Sequence, residues 1–90
     1  MKTIAKEKIN ELDFPSADVL SDTKERKLRY ATAQKARILG NTEKSKVRIS
    51  FCSSEGQCEV NTTVWDVDQD FIMLKGASAL PMRSVYSISL

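Results

Sequence analysis

Apolar and polar positions along this chain follow two rhythms, and the change falls near residue 46. Before it the spacing is helical. Residues 2–13 place Ala5, Ile9 and Leu12 on one side of a helix. At about a dozen residues, that helix is marginal unless it packs against something. Phe14-Pro15 ends it, because proline disfavours helical geometry in the residue before it. Residues 15–21 then read as a linker carrying Val19 and Leu20. A second helix is better marked. Asp22 suits its N-cap and Glu25 stands where a capping-box acid belongs. No Pro or Gly interrupts residues 23–39, and Gly40 follows as an expected left-handed terminator. The predicted apolar stripe is thin: Leu28, Ala31, Ile38 and Leu39.

From Lys46 the period becomes two. Val47, Ile49 and Phe51 alternate with Arg48, Ser50 and Cys52, as in a half-buried strand. A turn over residues 53–57 uses Gly56 as its positive-φ residue, and residues 58–67 form the return strand. Phe71-Ile72-Met73-Leu74 is apolar throughout and reads as a strand buried on both faces. Pro81 confines a short strand at residues 79–82 to an edge or a bulge. Residues 85–90 alternate again, and ending on an apolar residue suggests that this last strand is paired inside the sheet. The expected architecture is α+β in one domain spanning residues 1–90. An N-terminal helix and linker (1–21) and a basic helix (22–40) precede a five-stranded, strongly bent antiparallel sheet (46–90), a small barrel.

Composition narrows the chemistry. Ninety residues allow one core, and 41% hydrophobic with 29% charged residues is a globular balance. There is no histidine, which removes the commonest general base, the Ser-His and Cys-His nucleophile pairs and most zinc sites. Three glycines cannot supply a phosphate-cradling loop of the G-x-G-x-x-G or G-x-x-x-x-G-K type. We expect no enzyme, no cofactor and no metal site. No run approaches the roughly 20 apolar residues that span a bilayer, so no membrane partner is expected. The basic start lacks an apolar h-region, which leads us to expect a cytoplasmic protein with free thiols.

The net charge of +2 conceals a segregation. Residues 1–23 hold three lysines against five acids, for −2; residues 24–48 hold nine bases against two acids, for +7; residues 49–90 hold two bases against five acids, for −3. The middle segment is as basic as many nucleic-acid-binding elements, although a basic helix also serves simply to keep a surface soluble. The expected anion contacts are Arg26, Lys27, Arg29, Arg37, Lys44, Lys46 and Arg48, displayed as one continuous surface beside the strands.

A helix running into Lys46-Val47-Arg48-Ile49-Ser50-Phe51, a turn at Gly56, the segment Asp68-Gln69-Asp70-Phe71-Ile72-Met73-Leu74-Lys75 and a late pair at Leu80-Pro81-Met82 and Val85-Tyr86-Ser87-Ile88 together resemble the Sm-like and SH3-like small barrels. The bacterial Sm-like RNA chaperones are nearest in shape, over about two-thirds of the chain. The resemblance implies a small barrel and RNA as ligand. Where those chaperones carry Lys-His before the last strand this chain has Arg83-Ser84, and their mid-strand glycine falls near Thr62. These departures fall where the family's uridine-pocket specificity lies. The chain is also similar to small bacterial proteins with no assigned activity that end in an "LKG…P…S-I-x-x-I"-type segment.

Three further features have plainer readings. Asp66, Asp68 and Asp70 start like a calcium loop, but Phe71 and Ala77 stand where Gly and Glu belong, leaving a solvated acidic turn. Cys52 and Cys58 face each other across a three-residue loop but point to opposite faces across a two-residue one. Trp65 reads as a core or rim residue, or, with Phe71 and Tyr86, as part of a binding surface. The leading expectation is a non-enzymatic module that contacts RNA or DNA through phosphates. The alternative is a protein-interaction or self-assembling module that pairs a strand edge with a protein partner or a second copy.

Overall fold

A computed structural model describes all 90 residues. In chain order the elements are β1 (Lys2–Thr3), a 3-10 helix (Lys6–Glu11), α1 (Thr23–Glu43), β2 (Val47–Ser53), β3 (Gly56–Thr62), β4 (Val64–Val67), β5 (Phe71–Leu74), β6 (Ala79–Pro81), a 3-10 turn (Met82–Ser84) and β7 (Val85–Ser89). The class is α+β, with one long helix in mid-chain. The strands form two sheets, β1-β3-β2-β7 and β4-β5-β6, instead of one bent five-stranded sheet, and no barrel closes. The expected strand over residues 58–67 is cut at Thr63. Its first part pairs with β2 and its second with β5. The cause is a lapse in alternation: Thr62, Thr63 and Val64 are buried in succession, so the chain must turn there to pass from one sheet to the other.

The first segment is not an α-helix. Lys2 and Thr3 pair in parallel with Cys58 and Glu59, Ile4 N donates to Glu59 O at 2.8 Å, and only the six residues that follow coil, as a 3-10 helix burying Ile9. A short helix of marginal propensity yields to an available strand edge.

Asp22 caps α1 as expected, its side chain accepting from Lys24 N at 2.8 Å. The helix does not stop at Gly40. It continues to Glu43 and ends on Lys44, which takes the left-handed conformation at φ 54°. Nor is the expected stripe the buried one: Leu28 is 68% and Ile38 52% exposed, whereas Arg29, Ala33, Ala36 and Gly40 face inward. Small residues on that face let the helix backbone meet β4. A Cβ on Gly40 would lie 2.2 Å from the Val64 carbonyl oxygen, so glycine is there for close approach, in mid-helix.

The β2–β3 hairpin closes through Ser54 and Glu55, with Ser53 opposite Gly56 and Gly56 at φ 91°. Cys52 therefore stands opposite Gln57, and Cys58 opposite Phe51; both thiols are free. β5 is buried on one face only, through Ile72 and Leu74, while Phe71 and Met73 are exposed. β7 pairs with β2 alone, so the last strand is an edge and not an interior strand. Pro81 sits in β6, the edge of the other sheet. The core unites Ile9, Ile49, Phe51, Val60, Ile72, Leu74 and Leu80 from both sheets and the first segment. No helix is long and apolar enough to cross a membrane.

Candidate nucleic-acid interface

The geometry of α1 decides which basic side chains can act together. With Arg29, Ala33, Ala36 and Gly40 turned inward, the cations of this segment do not make one continuous surface. Arg29 is the clearest correction. Its side chain is 5% exposed, Nη1 and Nη2 donate to the two carboxylate oxygens of Asp18 at 2.8 and 2.7 Å, and Nη1 also reaches Val85 O at 3.0 Å. Such an arginine clamps the fold and has nothing to offer a phosphate. Arg26 Nε donates to Leu20 O at 2.6 Å and stands 3.6 Å from Asp18. Arg37 Nε donates to Gln34 Oε1, whose amide in turn donates to the Tyr30 hydroxyl. Arg48 points outward from β2, 3.8 Å from Glu59. Lys27 is exposed beside Arg26. Lys44 and Lys46 lie beyond the far end of the helix, which at 1.5 Å per residue is about 27 Å from Arg26.

The two ends differ electrostatically. Near the N-terminus of α1, Arg26 and Lys27 share a concavity with Gln69, and so adjoin the acidic turn of residues 66–70. That turn holds no metal cluster. One oxygen of the Asp68 carboxylate, Oδ1, accepts from Asp70 N and Phe71 N at 2.8 and 2.7 Å, closing the turn.

At the C-terminal end, Lys44 and Lys46 are joined by two lysines from elsewhere. Lys6 and Lys75 complete a cleft of about 350 Å³ floored by Asn61, Thr62 and Thr63. Three local features bring them together. Ser78 Oγ donates to Lys6 O at 2.8 Å, tying the first 3-10 helix to the β5–β6 turn. The Lys6 side chain lies over Gly76, where a Cβ would be 3.7 Å from its Cε. Lys75 N donates to Thr63 O at 3.0 Å, at the break between the sheets. None of the four ammonium groups is ion-paired; Glu7 is the single acid of the lining. Four like charges gathered in this way repel one another, and a polyanion relieves that repulsion. The carboxyl end of α1 contributes its negative dipole end, which offsets part of the repulsion among the lysines and works against a bound anion within the last turn.

Lys6 and Lys75 had no signal in the linear charge pattern, because both belong to segments of net negative charge. Only tertiary structure brings them to Lys44 and Lys46. Trp65 is neither core nor shielded. It is 51% exposed and lines an adjoining recess with Asn41, Lys44, Thr63 and Lys75. Tyr86 lies on β7 and lines a different groove, with Leu20 and Leu28. Compared with known proteins, the chain matches no family model, no curated protein and no solved structure.

Proposed function

We propose that this protein is a non-enzymatic module that binds nucleic acid through its phosphates, centred on Lys6, Lys44, Lys46 and Lys75. The observation that carries this reading is the convergence of four lysines without carboxylate partners on one polar cleft. Arg37 and Arg48 extend the field around it, whereas Arg29 is removed from the contact set by Asp18, and Arg26 and Lys27 lie at the other end of α1. Such contacts position a strand without reading its sequence. The finer fold reading, an opened relative of the SH3-like barrels, is supported by the handover at Thr63 and the 3-10 turn before β7. Affinity for mixed oligonucleotides across a salt series tests the function. Four phosphate contacts on a single strand predict a slope of log K against log salt of about −3. Replacing Lys44 and Lys46 by Gln is expected to halve that slope. Absent binding at low salt, or a flat slope, refutes the proposal.

A second reading rests on a different observation. The outer edge of β7 is unpaired, and beside it Leu20, Leu28, Tyr86 and Ile88 line a groove against α1. An edge strand without lysine or proline is open to pairing with another chain. A solution mass above that of one 10.1 kDa chain supports self-association.

A further inference from the structure

We propose that Trp65 receives an unpaired base while the neighbouring lysines hold its phosphates, making the module selective for single-stranded nucleic acid. This rests on the phosphate-binding reading and adds the class of strand to it.

Trp65 is the extra residue of a β-bulge. Val64 pairs with Leu74 and Asp66 with Met73, so Trp65 has no partner across the strand and turns outward with Asp66. Bulges re-aim side chains in this way. The backbone that carries the indole lies against the C-terminal end of α1. Asn41 Nδ2 donates to Trp65 O at 3.5 Å, and Gly40 brings α1 against the carbonyl of Val64. A half-exposed indole, with only two side-chain torsions, offers a broad aromatic face at small cost in conformational freedom on binding. Lys44, Thr63 and Lys75 line both the recess of Trp65 and the lysine cleft, so the two adjoin in one trough-like surface. Phosphates bound at the lysines bring the attached bases towards the indole. Met73 and Phe71 continue the exposed apolar surface along β5 beyond it, on alternate residues. Asp66 repels phosphate on the tryptophan side, which gives the trough a polarity of phosphate at one end and base at the other.

A duplex cannot use this arrangement. Its bases are stacked on one another and expose no π-face, whereas stacking on an aromatic side chain tolerates any unpaired base. An acidic protein segment satisfies the lysines but gains no stacking.

The chain has a single tryptophan, so its fluorescence reports on this site alone. The wild-type protein is titrated at low salt with mixed-sequence oligoribonucleotides, oligodeoxyribonucleotides, the corresponding duplexes and polyglutamate. Single strands are expected to quench the emission and to bind about ten-fold more tightly than duplex. With labelled oligonucleotides followed by anisotropy, Trp65→Ala is expected to weaken single-strand binding about ten-fold. Its salt slope and its duplex affinity stay unchanged, and Trp65→Phe recovers part of the loss. The RNA and DNA arms show whether the sugar matters. Equal affinity for duplex and single strand, with no effect of Trp65→Ala, overturns the inference but leaves the phosphate reading standing. Polyglutamate binding as tightly as oligonucleotides overturns it in favour of an acidic protein partner. No binding of any polyanion removes both.

Discussion

Arg29 and Asp18 show how one residue's environment changes its meaning. As a sequence position, Arg29 is one of nine bases in a basic run; in the fold it is the most deeply buried charge in the molecule. Its bidentate hydrogen bonds, chiefly, hold the Asp18 carboxyl below the usual carboxylate range. The same segment is fastened by Arg83 Nε to Pro15 O and by Val19 N to Arg83 O, so the expected linker is a strap drawn across the fold. A carboxyl whose pKa is depressed by folding stabilises the protein above its unfolded value, near pH 4. That contribution is lost as pH falls further, through the folded pKa. Replacing Asp18 by Asn strands a buried guanidinium and is expected to remove about 3 kcal/mol at neutral pH. The variant should also lose less of its remaining stability between about pH 4 and pH 2 than the wild type. Urea unfolding at several pH values measures both. An unchanged midpoint at neutral pH contradicts the clamp.

Among the elements, α1 gives the sharpest test, because propensity and packing point in opposite directions at Gly40. In an exposed helix interior, Gly to Ala gains about 1 kcal/mol. Here the added Cβ collides with the Val64 carbonyl oxygen, a backbone atom, at 2.2 Å and crowds the Thr63 methyl at 3.0 Å. Gly40→Ala is therefore expected to destabilise by about 2–3 kcal/mol, read from thermal or urea unfolding. A stabilised variant contradicts the close approach of helix and strand. The same position marks a limit of sequence reading. Glycine after a long helical run fits a terminator as well as it fits a contact point, and only the neighbouring strand distinguishes them. Period-two alternation marked β2 and the hairpin at Gly56 plainly, since half-buried strands write their burial into every second residue. β1 and the first 3-10 helix were not legible, because a two-residue strand depends on the edge it joins. Nor was the exposed face of β5, since four apolar residues in a row look alike whether or not both faces are covered.

In the molecule as a whole, charge is redistributed by folding. The +7 of residues 24–48 suggested a basic face, but α1 separates it into an end beside an acidic turn and an end free of one. Half of the proposed site was visible in the chain, as Lys44 and Lys46. The other half arrives from residues 6 and 75, through the Ser78–Lys6 hydrogen bond and the turn after β5. Trp65 was visible as a residue, but its bulge and its place next to the lysines depend on which strand follows Thr63. Backbone amide chemical shifts during titration with a short single-stranded oligonucleotide would locate the bound strand on the fold. Perturbations are expected to concentrate at residues 6, 41, 44, 46, 61–65 and 75, with the amides around Arg26 and Lys27 nearly unmoved. Shifts confined to the N-terminal half of α1, or spread evenly over every basic residue, would contradict the proposed site.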